Sequence, residues 1–506
     1  MFMQDCDERD AMFRKKRNGC RFFLSATIRR GISLNNFQRD LTEGSVTGQL
    51  LKFSMPFLFS NLLQALYNLA DMLIVGNFCG PTGASAVGMG GQVTILVINL
   101  ISGLAVGGTV LIAQYIGAQR HKEVERTVGT VFTLYLAAGA VLTVIMLLLS
   151  APILTAMNIS HEAFDDTLAY LNICMAGTVF VCGYNAVSAV LRGMGDSRHP
   201  LIFVAIATVV NILLDLLLVG PLHMGPSGAA LATITAQAAS FVISVIFLRR
   251  RNFVFDFHPR SFRIDKHLAG RLVKLGLPAS LQGTLVSLSF MVLTGIANAV
   301  AVERLIGSTA LSIAGKVNSI AILPSMAMQA SVSSMAGQNI GAGKPERAKK
   351  TMFVAMGLSF AVSLIVFVLV NLFPTQIIHV FIGFSQDESI TEEMRILIIR
   401  ESAKYIQCIS WDYLLTSIVF CINGLAIGVG QTLFSMINSG VGSILLRIPA
   451  AWLLGYTFGL GLGGVGYAAP IATAGSLIIG IVYLCTGSWR RHRLQDIRGR
   501  QEAAES

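Results

Sequence analysis

Apolar runs of twenty or more residues recur along the chain, and they limit its possible folds more than any other feature. Each run is long enough to cross a bilayer core of about 30 Å as a helix. Hydrophobic residues make up 54% of the 506 residues and charged residues only 13%, which argues against a soluble multidomain enzyme. The sequence therefore predicts an all-α polytopic membrane protein.

Twelve membrane spans can be delimited at the breaks between the apolar runs. Polar loops separate them, and a polar tail lies at each end of the chain. The predicted spans are residues 53–76, 92–117, 128–150, 170–191, 200–220, 227–248, 272–300, 312–337, 353–374, 402–424, 433–457 and 463–485.

The basic residues are distributed unevenly between the two sides of these spans. Of 38 lysines and arginines, 32 lie in the two tails, in the even-numbered loops or at the adjoining helix ends. The odd-numbered loops carry acidic residues instead, such as Glu162, Asp165 and Asp387. By the positive-inside rule, both termini are expected in the cytoplasm. The net charge of +11 therefore indicates membrane orientation, and we expect no nucleic-acid partner.

The chain contains an internal repeat of six spans. Residues Ala113–Arg120 after span two share the pattern Gln-x-Ile-Gly-Ala with Gly337–Lys344 after span eight. Gly193–Ser197 likewise resembles Gly428–Thr432. Because six is even, both halves enter the membrane from the same side, and the two lobes should be related by an axis along the membrane normal. Two such pseudo-symmetric lobes suit alternating access.

The repeat divides the chain into five predicted segments. A basic cytoplasmic loop joins the two lobes, and basic cytoplasmic tails flank them. The segments are a flexible tail (1–48), an N-terminal six-helix lobe (49–250), the inter-lobe loop (251–270), a C-terminal six-helix lobe (271–488) and a second tail (489–506).

Three acidic residues lie well inside spans, namely Asp71 in span one, Asp215 in span five and Asp412 in span ten. An ionised carboxylate at mid-membrane depth costs several kcal/mol, so each is a functional candidate facing an internal cavity. Span seven carries no acid, and the C-terminal half therefore lacks a carboxylate pair. Asp412 is either a structural partner of Arg447 or Lys316, the basic residues inside spans, or part of a substrate cavity.

Polar residues accompany the two acids of the N-terminal half at helical spacing. Gln64 and Tyr67 lie on the same helix face as Asp71, Asn211 lies one turn before the acid of span five, and Thr233 of span six could face them. Two carboxylates in one site of low dielectric resist being ionised together, so the site could accept a proton. The same oxygens could instead hold sodium. The sequence leaves both alternatives open.

Four short motifs occur in the order known from one transporter family. They are Asp40–Ser45 before span one, Tyr67–Asp71 within it, Gln114–Ala118 after span two and Leu191–Asp196 after span four. With these motifs, the chain resembles the multidrug and toxic compound extrusion (MATE) family over about residues 41–490. The resemblance implies export of small cationic amphipathic compounds in exchange for protons or sodium ions.

The resemblance is to the bacterial branch of this family with its ion site in the N-terminal lobe. That branch has Tyr-Asn-x-x-Asp in span one and Asn-x-x-x-Asp in span five. At its span-four asparagine this chain has Ser188, with Asn185 one turn away, which leaves that ligand open. The resemblance assigns ion coupling to Asp71, Asn211, Asp215 and Thr233, with sodium at the first three as one alternative.

We therefore expect a secondary antiporter in the cytoplasmic membrane, monomeric and surrounded by lipid. We expect no enzymatic activity and no cofactor, since all eight histidines lie in loops, tails or span edges without a catalytic or zinc motif. The candidates for the substrate cavity are Gln64, Tyr67, Asn185, Ser188 and Asp412.

An alternative cargo is a lipid-linked saccharide or a natural metabolite carried by the same fold. A pyrophosphate-linked lipid would call for several basic residues in the spans that line the cavity. Only Lys316 and Arg447 lie inside spans. The acidic N-terminal half therefore favours a cationic cargo.

Overall fold

The computed structural model describes residues 37–157, 159, 161–251, 253–300, 304–382 and 392–491. Most of the predicted N-terminal tail and nearly all of the predicted C-terminal tail lie outside these ranges. Helices make up nearly all of the described chain, and no strand occurs within it.

The N-terminal lobe consists of six helices, of which the first contains two spans. Spans one and two meet at Gly80, whose φ of 68° interrupts the helix. The fourth span is broken at Gly177, where two shorter helices meet at 47°. The helices are α1 (Val46–Gly117), α2 (His121–Ala156), α3 (His161–Ala176), α4 (Thr178–Gly193), α5 (Arg198–Leu218) and α6 (Gly225–Arg250).

The C-terminal lobe follows after a loop that contains a 3-10 turn at Pro259–Ser261. Its helices are α7 (Lys266–Val300), α8 (Arg304–Ala321), α9 (Leu323–Gly341), α10 (Pro345–Leu372), α11 (Pro374–Ile382), α12 (Glu392–Val429), α13 (Thr432–Gly440), α14 (Arg447–Trp452), α15 (Gly461–Cys485) and α16 (Ser488–Arg491). Two π-helical stretches, Val441–Leu446 and Leu453–Thr457, join α13 and α14 into one span.

The predicted fold class is confirmed. Ten helical segments in the described ranges are long and apolar enough to cross a membrane, with the two spans of α1 counted separately. Two bent helix pairs bring the number to twelve. Several helices extend beyond the predicted spans, because a helix continues into polar sequence outside the hydrocarbon. The span predicted at 402–424, for example, lies inside α12 (Glu392–Val429). The boundaries of the five predicted segments stay predictions.

The inter-lobe loop is anchored to the N-terminal lobe by phenylalanines. The Phe255 side chain is 2% exposed and stacks on Phe132 of α2, with 5.6 Å between the ring centroids. Phe257 and Phe262 pack edge-on against the same ring. This part of the connection is therefore docked on α2.

The two lobes meet where helix backbones cross at glycines. A Cβ atom at Gly117 of α1 would lie 1.9 Å from the Gln338 carbonyl oxygen of α9, and one at Gly341 would lie 2.0 Å from the Gln114 carbonyl oxygen. Farther along α1, a Cβ at Gly103 would lie 2.1 Å from the carbonyl oxygen of Gly276 in α7. Only glycine permits such close backbone approach.

Two glutamines join the lobes beside these crossings. Gln114 Nε2 donates to the Gly428 carbonyl oxygen at 2.9 Å, and Gln338 Nε2 donates to the Gly193 carbonyl oxygen at 3.3 Å. The two glutamines occupy equivalent positions in the repeat, and so do the two glycines. Each half therefore donates the equivalent glutamine hydrogen bond to the other half.

The segment before α1 crosses the same junction. Arg39 donates its backbone N–H to Met194 of the N-terminal lobe, and Leu41 donates its own to Gln338 Oε1 of the C-terminal lobe, both at 3.0 Å. Arg347 donates to the carbonyl oxygens of residues 43 and 44. Arg490 pairs with Glu346 nearby, so both ends of the described chain lie on this side, the termini side.

Replacing Gly117 by alanine should lower the melting temperature of the purified protein by several degrees. The added methyl group would meet the Gln338 backbone, which cannot move aside as a flexible side chain can. Gly357→Ala on α10 is the matched control, since nothing lies within 4 Å of the added atom. Thermal unfolding in detergent measures both variants, and equal melting temperatures would contradict the close crossing.

Candidate ion-coupling site

The polar residues of span five lie on the buried face of α5. Buried positions recur every four residues along this helix, and the opposite side is exposed, as at Val209 (58%) and Leu213 (63%). A polar group on the buried face is therefore directed into the N-terminal lobe. The buried face carries Phe203, Ala207, Asn211 and Asp215.

Asp71 and Asp215 meet inside the N-terminal lobe. Asp71 is 7% exposed and Asp215 is fully buried, and their carboxyl groups lie close enough to interact directly. Neither oxygen of Asp215, nor Oδ1 of Asp71, accepts a well-formed hydrogen bond from any described residue. Two ionised carboxylates in this position would repel each other strongly in a medium of low dielectric. The pair therefore requires a proton or a cation to neutralise it.

Asn211, Thr233 and Tyr67 surround the acid pair. Asn211 is 1% exposed, lies beside Asp215 and donates its Nδ2 to Thr233 Oγ1 of α6 at 3.4 Å. The Tyr67 hydroxyl lies against Thr233 and close to Asp71. Asn211 Oδ1 has no donor among the described residues. Helices α1, α5 and α6 thus contribute several oxygen atoms to one point.

A small cavity adjoins this group of residues. Its volume of ≈ 20 Å³ has room for about one water molecule or a monatomic ion, and not for a drug-sized compound. Its walls come from α1, α4, α5 and α6. They are formed by Gln64, Tyr67, Tyr184, Val204, Ala207, Thr208, Asn211, Thr233, Ala236 and Gln237.

The structure places the two candidates of span four outside this cavity lining. Asn185 donates its Nδ2 to the Val181 carbonyl oxygen of its own helix at 2.8 Å. Ser188 is 2% exposed and lies beside Tyr184. The span-four ligand stays a prediction.

Sequence reasoning missed three polar residues of the cavity wall, namely Tyr184, Thr208 and Gln237. Thr208 precedes Asn211 by three residues, and Gln237 follows Thr233 by four. Polar side chains at helical spacing from a candidate ligand share its face. That spacing could have identified the last two.

Asp412 lies in a separate polar cluster within the C-terminal lobe. Thr416, Thr473 and the Arg447 guanidinium act electrostatically on its carboxylate, but no ion pair links Asp412 to Arg447 within the described ranges. Arg447 lies over the Phe290 ring at 4.5 Å and beside Tyr405. This placement favours a structural partnership of Asp412 with Arg447 over one with Lys316.

Comparison with known proteins decides the family. The MatE family model matches residues 56–217 and 278–453, one match in each lobe. The chain belongs to the MATE family. Like the other members of that family, it is a membrane transporter and not an enzyme.

Bacterial relatives are similar to this MATE protein over most of their length. The probable multidrug resistance protein YoeA of Bacillus subtilis is 29% identical over 86% of this chain and 92% of its own. The probable multidrug resistance protein NorM of Thermotoga maritima is 26% identical over 88% of this chain and 93% of its own.

Solved structures show the same fold. A multidrug resistance MATE transporter in an outward-facing conformation aligns with a TM-score of 0.82 and 23% identity over 89% of this chain and 98% of its own. A transporter of the MOP superfamily from Pyrococcus furiosus aligns with a TM-score of 0.81 and 24% identity over 89% and 97%.

Replacing Asp215 by asparagine should stabilise the protein, with a larger effect at alkaline pH than at acidic pH. The amide removes one of two adjacent carboxylates and can donate a hydrogen bond to Asp71. In thermal unfolding, we expect a melting temperature higher by several degrees at alkaline pH and a smaller increase at acidic pH. Glu125→Gln, an exposed acid on α2, is the control. A lower melting temperature for Asp215→Asn at alkaline pH would show that the pair is not repulsive.

Proposed function

We propose that the protein is a secondary antiporter of the cytoplasmic membrane that exports cationic amphipathic compounds in exchange for protons or sodium ions. The observation that carries this proposal is the buried Asp71–Asp215 pair next to an ion-sized cavity. Relatives named as multidrug resistance proteins support efflux of several compounds. No described residue supplies the positive charge that such a buried pair requires.

The proposed mechanism makes ion binding and cargo binding mutually exclusive. A proton or sodium ion that enters the acid pair neutralises it and removes its attraction for a cationic compound. Release of that ion restores the negative charge and the affinity for cargo. Because the site lies within one lobe, its charge can also change how α1 packs against α5 and α6.

Both coupling ions find suitable groups in the site. Two carboxyl groups in direct contact can share one proton. The acceptor oxygens without donors, on Asp71, Asn211 and Asp215, form a hard oxygen set that suits sodium. The imposed gradient in the efflux experiment below distinguishes the two.

The contacts between the lobes fit alternating access. The positive-inside rule assigns the termini side to the cytoplasm. On that side Gln114, Gln338 and the segment before α1 hold the lobes together. We infer that these hydrogen bonds break when the transporter opens to the cytoplasm to load cargo.

The outer surface of the bundle is suited to lipid. Val141, Val144 and Leu148 of α2 are 58%, 59% and 74% exposed and would otherwise face water. We propose a monomer surrounded by lipid. The alternative cargo, a lipid-linked saccharide, has less support because its pyrophosphate would call for several basic residues, and of the two inside spans Arg447 is already held by Phe290 and neighbouring polar groups.

The efflux of ethidium from pump-deficient cells or oriented vesicles tests the function. Wild-type protein should export ethidium under an imposed proton gradient or an imposed sodium gradient. Asp71→Asn should reduce gradient-driven efflux at least about ten-fold, as expected for loss of a charged ligand worth about 1.4 kcal/mol or more. Glu125→Gln should behave as wild type.

The double variant Asp71→Asn, Asp215→Asn provides the decisive control. It lacks both carboxylates of the proposed ion site, so coupled exchange should be abolished. Exchange at the wild-type rate by this variant, with normal membrane expression, would refute the assigned coupling site. Absence of wild-type efflux under either gradient would refute the proposed cargo.

A further inference from the structure

Lys316 is a charged residue that the ion-coupling site does not use. It is partly buried in α8, in the second half of the transporter. No hydrogen bond or ion pair to its side chain occurs in the described ranges, and the acid of this lobe, Asp412, neighbours Arg447 instead. An ammonium group inside a membrane span without a counter-charge is costly, and such residues usually bind a ligand or mark its path.

The helical phase of α8 directs Lys316 away from the core of its own lobe. Ala310 and Ala314 are fully buried and Val317 is 6% exposed in the core of the C-terminal lobe. With 3.6 residues per turn, Ser312 and Lys316 lie on the opposite half of the helix. Ser312 is exposed, as is Ser319 farther along the same side, which makes this a polar face.

The contacts of α8 leave this polar face uncovered by the described neighbouring helices. Helix α9 continues the same span and packs closely on α1 of the N-terminal lobe, whereas α8 bends away from α9 by 41°. Helix α8 packs on α7, α11 and α12 and makes no comparable contact with α1. A Cβ added at Gly315, next to Lys316, would meet nothing within 4 Å. We infer that this open side of α8 faces the space between the lobes, which we name the cleft.

Lipid is a poor alternative environment for the same face. Ser319 donates its Oγ to the Gly315 carbonyl oxygen of its own helix at 2.8 Å, but in hydrocarbon the ammonium of Lys316 would have no partner. In a water-filled cleft the same groups remain hydrated until cargo replaces the water. The polar composition of the face therefore agrees with its position between the lobes.

Among the residues that the structure describes, each lobe contains charged groups without a counter-charge, and these groups have opposite sign in the two lobes. The N-terminal lobe carries the Asp71–Asp215 pair, and the C-terminal lobe presents the ammonium of Lys316. Complementary charges at separate points of a binding surface select for orientation and type of ligand. Arg447 is less available for this role, because it lies over Phe290 and next to Asp412.

We propose that Lys316 binds an anionic group of the cargo, so that the preferred compounds are amphipathic zwitterions with a cationic group and a carboxylate, sulfonate or phosphate group. This inference rests on the proposed function, since it concerns cargo in the same transporter. It adds a recognition residue in the C-terminal lobe to the ion site of the N-terminal lobe.

A pair of rhodamine dyes tests the proposal by direct binding. One dye carries a free carboxylate, and the other is its methyl ester with the same cationic ring system. Fluorescence polarisation with purified protein in lipid nanodiscs gives the affinity for each dye. Lys316→Gln should weaken binding of the carboxylate dye about ten-fold, the loss expected for one charge-assisted contact, and change binding of the ester less than about two-fold.

Two further variants serve as controls. Lys316→Met removes the charge and keeps an unbranched side chain, and it should give the same pattern as Lys316→Gln. Lys350→Gln, an exposed lysine on α10, should bind both dyes as wild type. Normal binding of the ester also shows that the Lys316 variants are folded.

Equal affinities of wild-type protein and Lys316→Gln for the carboxylate dye, including no binding by either, would overturn the proposal. An equal loss of affinity for both dyes would also overturn the proposal, because it would show that Lys316 acts independently of the anionic group. Failure of the proposed antiport is seen separately, as absence of gradient-driven efflux of the ester. A charge-dependent dye preference in the absence of efflux would refute the antiport and support recognition by Lys316.

Discussion

The close crossing of helix backbones between the lobes is the contact on which the rest of the molecule depends. At Gly103 and Gly117 of α1 and at Gly341 of α9 there is no room for a side chain. This approach brings Gln114 and Gln338 within reach of carbonyl groups on the opposite lobe. The lobes are joined at the termini side and again at Gly103, whereas α8 bends away from α9 by 41° and makes no comparable contact with α1 in the described ranges.

In the proposed mechanism, the buried acid pair gives the N-terminal lobe a state that depends on ion occupancy. Asp71 and Asp215 lie on different helices, so their repulsion or neutralisation acts on the packing of α1 against α5. The adjoining cavity of ≈ 20 Å³ admits water or an ion and excludes a drug-sized compound. In the proposed mechanism, cargo and ion compete through charge and do not need to occupy the same volume.

The two lobes have the same arrangement of helices and differ in their buried polar residues. Equivalent glutamines and glycines form the junction in both halves, whereas the acid pair has no counterpart in the described part of the C-terminal lobe. There Arg447 acts on Asp412, and Lys316 lies on the polar face of α8 that we infer borders the cleft. On the proposed function, the duplicated scaffold holds an ion site in one half and leaves the other half to recognise cargo.

The sequence by itself determined the membrane spans, the repeat and the pairing of Asn211 with Asp215 on one helix face, since hydropathy and helical spacing are local properties. The structure alone decided which helices meet. It brought Asp71 to Asp215, added Gln237 to the cavity wall and placed Asp412 beside an arginine. Such neighbours depend on crossings between helices far apart in the chain. Those crossings depend on backbone approach at glycines, and no local pattern of residues specifies which two helices will cross.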